Sequence, residues 1–165
     1  MRVITGSARG RKLKEPQGNA IRPTADAVKE AIFNICQFDV EGRRVLDLFG
    51  GTGQLGIEAK SRGAAHVDIV DCAADSIRLI RENVRLTGLD IRVIQADALG
   101  YLRSCSTYDL IFLDPPYDSG LAEKALDAIK AFDILSKGGI ILCETRAESS
   151  LPALEPPYAL RRTYR

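Results

Sequence analysis

The chain has 165 residues, 45% of them apolar and 27% charged, which suffices for an ordinary hydrophobic core and falls within the roughly 100–200 residues of one domain. A net charge of +1 excludes binding a polyanion by bulk charge alone, and no apolar run reaches the ~20 residues that cross a bilayer. The first residues, "MRVITGSARGRKLKEP", carry basic side chains without the apolar stretch of a secretory signal, so a non-secreted protein is expected.

Charge is unevenly placed. Arg2, Arg9, Arg11, Lys12 and Lys14 precede the first acid, Glu15, and Arg161, Arg162 and Arg165 crowd the other end; such ends suit a face that meets phosphates as well as an ordinary solvated tail. Residues 2–5 and 11–14 have modest strand character around the Gly6–Gly10 turn, which predicts a basic hairpin arm. Thr24 can cap a helix whose apolar positions Val28, Ala31, Ile32 and Ile35 fall at i, i+3, i+4 and i+7.

Strands and helices then alternate. "RVLDLFG" (44–50) reads as a buried strand, followed by a glycine-rich turn and a helix from about Gln54 that Gly63 stops. "HVDIVD" (66–71) is a second strand, Ile77, Ile80 and Val84 mark a helix ending near Gly88, and "IRVIQ" (91–95) is a third strand. "YDLIFLD" (108–114) is a fourth, Ala122, Ala125, Leu126 and Ile129 form a helix stripe, "GIILCE" (139–144) is a fifth, and "YALRRTYR" begins a sixth. This spacing indicates an α/β, Rossmann-like fold: a mostly parallel sheet with helices on both faces. No repeat or linker divides the chain, so residues 1–165 are expected to form a single domain, with 1–20 as the arm and 21–165 as the core. Cys36, Cys72, Cys105 and Cys143 are dispersed, with His66 as the one histidine; reduced cysteines in or near the core are expected, not a disulfide framework or a metal site.

Between the first strand and its helix stands "DLFGGTGQLG". Gly51, Gly53 and Gly56 fit G-x-G-x-x-G, and Asp71 ends the next strand about 20 residues on, the spacing at which a carboxylate accepts hydrogen bonds from a ribose. Gly50 precedes them in the same turn. NAD, FAD and S-adenosyl-L-methionine all place an adenosine in such a crevice, and the glycines do not choose between them. Two acids favour S-adenosyl-L-methionine. Asp47 precedes the turn, where a negative side chain sits badly beside a pyrophosphate but suits a cationic methionine end. Asp97 in "QADAL" stands at the same edge of the sheet, where it can meet an adenine amine, cap the helix that follows, or both.

The fourth strand ends in Asp114, Pro115, Pro116 and Tyr117. This stretch resembles the [DNS]-P-P-[YFW] motif of amino-methyltransferases. An exocyclic amine is a poor nucleophile because its lone pair is delocalised into the ring, so a site must hold its hydrogens and align the nitrogen. The Asp114 carboxylate and Pro115 carbonyl are suited to accept those hydrogens, the prolines remove two N–H donors, and Tyr117 offers a ring for a flipped-out base.

The arm Gly6–Arg11, the "RPT" at Arg22–Thr24, the D-L-F-x-G-[ST]-G turn and the D-P-P-Y motif together resemble the bacterial 16S ribosomal RNA guanine-N2 methyltransferase family of the RsmD type, over nearly the whole chain. The resemblance implies the class I methyltransferase sheet, seven strands with the last antiparallel, and S-adenosyl-L-methionine as cofactor. It implies a guanine exocyclic amine of 16S rRNA as acceptor, in a 30S subunit or assembly intermediate. It implies RNA contacts by Arg9, Arg11 and Lys12, and a place for Arg22 and Thr24 near the methionine end of the cofactor. A cytoplasmic monomer is expected. Two departures stand out: Ala73 replaces a second acid that the family commonly has, and the chain reaches "LRRTYR" where a terminal strand would return beside the fifth, so the C-terminal strand is expected to be incomplete. The alternatives are an adenine-N6 or cytosine-N4 DNA methyltransferase, a non-catalytic nucleotide-binding RNA assembly factor and, least favoured for want of a proton-transferring residue, an NAD-dependent dehydrogenase.

Overall fold

The computed structural model describes residues 1–16, 26–146, 151 and 153–164. Five strands, β1 (Arg44–Asp47), β2 (His66–Asp71), β3 (Arg92–Gln95), β4 (Tyr108–Leu113) and β5 (Leu135–Cys143), form one sheet in the order β3-β2-β1-β4-β5, with every pairing parallel. Parallel neighbours need crossovers. They are supplied by α2 (Gln54–Ser61), α3 (Ala74–Thr87), α4 (Ala98–Leu102) and α5 (Leu121–Ala131), while α1 (Asp26–Ile35) precedes the sheet. The chain steps outward from β1 to β3 and then returns to the other side of β1 as β4. The strand order therefore reverses between β1 and β4, the place where open α/β sheets leave a crevice at their carboxyl ends.

Successive side chains along a strand point to opposite faces, and the core divides accordingly. Val45, Val67, Ile69, Leu110 and Phe112 pack with Phe33, Ile57, Ile77 and Ile80, placing α1, α2 and α3 on one face. Leu46, Val70, Ile111 and Leu113 pack with Leu102, Leu126 and Ile129, placing α4 and α5 on the other. On that second face, the buried Asp68 carboxylate accepts from Tyr108, from Arg92 Nε at 2.9 Å and from the Tyr101 hydroxyl at 3.2 Å. Tyr101 lies on α4, so this network ties α4 to the sheet.

The arm is a minimal hairpin. Arg2 bridges Lys12 in antiparallel fashion, and the Val3 N–H donates to the Arg11 carbonyl at 2.9 Å. It lies on α2 through a buried polar anchor, for Glu58 is fully buried and accepts the N–H groups of Ile4 at 2.8 Å and Thr5 at 2.9 Å. Ser61 adds its hydroxyl, which accepts from the Ala8 N–H at 2.9 Å and donates to the Thr5 carbonyl at 2.6 Å. Contact is so close that a Cβ at Gly6, where φ is +87°, would lie 1.8 Å from the Ser61 carbonyl oxygen. Lys29 on α1 is likewise fully buried and donates to the Arg2 carbonyl at 2.6 Å.

Three expectations are corrected. The buried stripe of α1 is Lys29 and Phe33, continuing to Cys36, while Val28 is 41% exposed and Ala31 is exposed. The arm crossing this helix offers the Arg2 carbonyl to the Lys29 amine, which lets a lysine join the buried face, while Ile32 of the expected stripe packs partly against the core. Residues 153–164 form no strand, and the sheet has five strands among the described residues instead of six or seven. Cys36 is buried and Cys105 and Cys143 are half-buried, but Cys72 is exposed at the end of β2. Thr24 and its capping role lie outside the described residues.

Candidate active site

The glycine turn builds the floor of the crevice at the carboxyl ends of β1 and β4. Gly51 and Gly53 take φ of +56° and +80°, a region that side chains disfavour, and Gly53 stands at the N-cap of α2. Gly50 and Gly56 serve close packing instead, since a Cβ at either position would fall 2.5 Å from Ile69.

The strand-end acids converge here. Asp71 accepts from the Gly51 N–H and the Ala73 N–H, each at 2.8 Å, so it orders the turn before any ligand arrives and retains lone pairs for further donors. Asp47 is 1% exposed and accepts from the Gly56 N–H at 3.0 Å. Burial pushes its carboxyl up to about 8, with Asp114 and Asp71 adding to the effect and the Gly56 N–H opposing it. Asp97 is exposed and caps α4 by accepting from the Gly100 N–H at 2.8 Å; the capping role is realised, and its position on the crevice wall is retained.

Asp114 follows β4 directly, Pro115 is buried beside it, and Pro116 and Tyr117 are exposed. The Tyr117 hydroxyl donates to Glu144 Oε1 at 2.7 Å, and the Arg146 guanidinium lies 5.4 Å from the ring centroid. Together these elements form an open cleft of about 1220 Å³ lined by Asp47, Gly50, Gly51, Asp71, Asp97, Asp114, Pro115, Pro116 and Tyr117, with Gly53 behind it against Ile80. That exceeds the space one small ligand usually takes, which is at most about 1,000 Å³. The sites expected from the glycine turn and from the proline motif are thus one crevice. Arg22 and Thr24 lie outside the described residues.

Arg9, Arg11 and Lys12 are exposed on the arm. The tip of the arm lies at the Ser61 end of α2, the end remote from the glycine turn, and the arm then returns to the crevice, where Lys14, Glu15 and Pro16 line the rim. The eight residues of α2 place the tip about 12 Å from the turn along the helix axis.

Two residues at the site had no sequence signal of their own. Asn83, fully buried on α3, accepts from the Lys14 N–H at 2.7 Å and donates to the Lys14 carbonyl at 3.2 Å and the Thr52 carbonyl at 3.0 Å. One amide therefore joins the end of the arm to the glycine turn. Glu144, just past β5, lines the same cavity. The acids at the ends of β1, β2 and β4 were the available clue, since Glu144 extends the same series.

Comparison with known proteins agrees with this geometry. The family described as Conserved hypothetical protein 95 matches residues 1–163. YlbH of Bacillus subtilis (strain 168) is 40% identical over 158 residues, covering 92% of this chain and 86% of YlbH. The ribosomal RNA small subunit methyltransferase D of Escherichia coli (strain K12) is 34% identical over 164 residues, covering 98% of this chain and 83% of that protein. A solved structure of a hypothetical protein from Thermus thermophilus superposes with a TM-score of 0.83 at 29% identity, covering 99% of this chain and 94% of that one. With a class I methyltransferase sheet, a glycine turn and a proline motif in one crevice, the chain belongs to the Conserved hypothetical protein 95 family, the family of RsmD-type rRNA methyltransferases.

Proposed function

We propose that this protein transfers a methyl group from S-adenosyl-L-methionine to the exocyclic N2 amine of a guanine in 16S rRNA. The observation that carries the reading is the position of the Asp114–Tyr117 turn, which leaves β4 inside the crevice floored by the glycine turn. Asp71 has lone pairs to hold a ribose, Asp97 stands on the crevice wall and is assigned to the adenine, and Asp47, which burial keeps largely protonated in the empty crevice, is assigned to the cationic amino group whose arrival would draw off that proton. Gly50 and Gly51 line the crevice and are assigned to the cofactor's close approach, Gly53 is assigned to the left-handed turn that shapes it, and Arg22 and Thr24 are assigned to the cofactor's methionine end. The cavity has room for this cofactor and a base together.

S-adenosyl-L-methionine supplies an electrophilic methyl group on a sulfonium, with a neutral thioether as leaving group. The chain's own work is positioning and electrostatics. The Asp114 carboxylate and the Pro115 carbonyl accept the two amine hydrogens, turning the nitrogen lone pair toward the methyl group and stabilising the positive charge that grows on nitrogen; one of those hydrogens then leaves as a proton by way of Asp114 to solvent, giving the neutral methylated amine. Pro116 stiffens the turn, and Tyr117 stacks on the base. Burial raises the neighbouring Cys143 thiol to about 11, aided by Glu123, Asp114 and Glu144, so that thiol stays protonated at neutral pH and is not a competing nucleophile.

Arg9, Arg11 and Lys12 form a track for RNA phosphates that leads along α2 to the crevice rim. Relatives named as small-subunit rRNA methyltransferases support the choice of RNA. We assign action to a 30S subunit or assembly intermediate, by a monomer in the cytoplasm; no helix among the described residues is long and apolar enough to cross a membrane. The test is incubation of purified protein and labelled cofactor with 30S particles from cells lacking the enzyme, or with bare DNA. Label at guanine N2 of the rRNA is expected, and label in DNA alone would sink the reading.

A further inference from the structure

Glu144 stands beside the proline motif. Its N–H donates to the Leu113 carbonyl at 2.8 Å, and Cys143 pairs with Leu113, so Asp114 and Glu144 leave adjacent parallel strands at neighbouring positions and line the same cavity. Oε1 of Glu144 is held by the Tyr117 hydroxyl at 2.7 Å. Oε2 is shielded from solvent and has no hydrogen-bond partner among the described residues. Folded proteins rarely leave such an acceptor unsatisfied, and at a binding crevice the missing donor is one that a ligand can bring. The terminal torsion of a glutamate is soft and Glu144 lines the crevice, so its carboxylate can turn as a unit toward an incoming base, with the rotatable Tyr117 hydroxyl following Oε1.

The Watson–Crick edge of guanine carries three N–H hydrogens, two on N2 and one on N1. The Asp114 carboxylate and Pro115 carbonyl account for the two on N2. We propose that Glu144 accepts the N1–H of the target guanine and so selects the base. This rests on the reading of the reaction as guanine-N2 methylation and goes beyond it by naming the residue that discriminates. Adenine presents a lone pair at N1 and cytosine one at N3; either would face a carboxylate with no hydrogen between them.

The test uses the full chain and rRNA carrying either guanine or 2-aminopurine at the target position. 2-Aminopurine keeps the exocyclic amine but has no N1–H. The wild-type protein should prefer guanine in kcat/KM by about a hundredfold or more, since sites built around a substrate N–H reject analogues lacking it. Glu144→Gln, whose amide can donate to N1 of 2-aminopurine, should lose guanine methylation by a similar factor and shrink or invert the preference. S-adenosylhomocysteine binding reports that the variant is folded.

An unchanged preference in a folded Glu144→Gln protein would overturn the proposal. So would wild-type protein that methylates 2-aminopurine as fast as guanine, a result that needs no variant. In both cases guanine-N2 methylation itself would stand. Wild-type protein that methylates a different base and no guanine would overturn that reading and this proposal together.

Discussion

Replacing Glu58 by alanine should release the arm from α2. The carboxylate holds three donors, the N–H groups of Ile4 at 2.8 Å and Thr5 at 2.9 Å and Arg62 Nε at 2.9 Å, and Lys29 Nζ lies 3.9 Å away with both side chains fully buried. Burial lowers the Lys29 pKa, while Glu58 and Asp26 counteract it, so losing Glu58 removes a counter-charge from a buried amine. Hydrogen bonds to a charged group are worth about 1.5–3 kcal/mol each. Their sum overstates the loss, because a released arm lets its N–H groups meet water. Removing one partner of a buried pair costs about 3–5 kcal/mol, the figure that applies here, and it corresponds to a Tm lower by roughly 10 °C for a chain of this size. Urea unfolding at pH 7 measures the loss, and trypsin cleavage at Arg9 and Arg11 reports arm release. The double variant Lys29→Met, Glu58→Gln should recover part of the stability by removing both charges. A loss below about 1 kcal/mol in Glu58→Ala, with the arm still protected from trypsin, would refute this account of how the arm is held.

Asp114→Ala should lower kcat by about 10²–10³ while leaving the dissociation constant for S-adenosylhomocysteine within a few fold; equilibrium binding and single-turnover kinetics separate the two. Asp47 should impose a pH dependence: because burial lifts its carboxyl to about 8 in the free protein, affinity for a ligand with a cationic amino group should rise from pH 6 toward 8 and fall again where that amine loses its own proton. Calorimetry in two buffers of different ionisation enthalpy should detect proton release that Asp47→Asn abolishes. The same raised pKa makes the folded state hold a proton that the unfolded state gives up above about pH 4. Wild type therefore loses stability as pH rises toward 8, and Asp47→Asn should gain relative to it over that range, as denaturant midpoints would show. Gly56→Ala places a Cβ 2.5 Å from the Ile69 side chain and should cost about 1–3 kcal/mol of overpacking, read by urea titration.

The sheet was legible because its signals are local. β1, β2 and β4 each carry a short apolar run with an acid at its end, and the stops at Gly63 and Gly88 take positive φ, the conformation that ends a helix. Asp71, Asp97 and Asp114 announced themselves by standing at strand ends. Glu58 and Lys29 did not, because on a helix each reads as an ordinary surface charge; their burial follows from an arm more than 20 residues away in sequence folding back over α1 and α2. The same packing explains why α2 has no polar face, with seven of its eight residues buried. Asn83 was hidden for a related reason, as its partners Lys14 and Thr52 lie 69 and 31 residues away.

Asn83 also limits how this protein can be re-engineered. An arm that merely touched the core could be exchanged for another basic segment as a cassette. Here the end of the arm shares a side-chain amide with Thr52, so a graft changes the glycine turn with it. A chimera that swaps residues 1–14 would need Lys29, Glu58, Ser61 and Asn83 to travel with them as one unit, since each of the four holds the arm by a hydrogen bond.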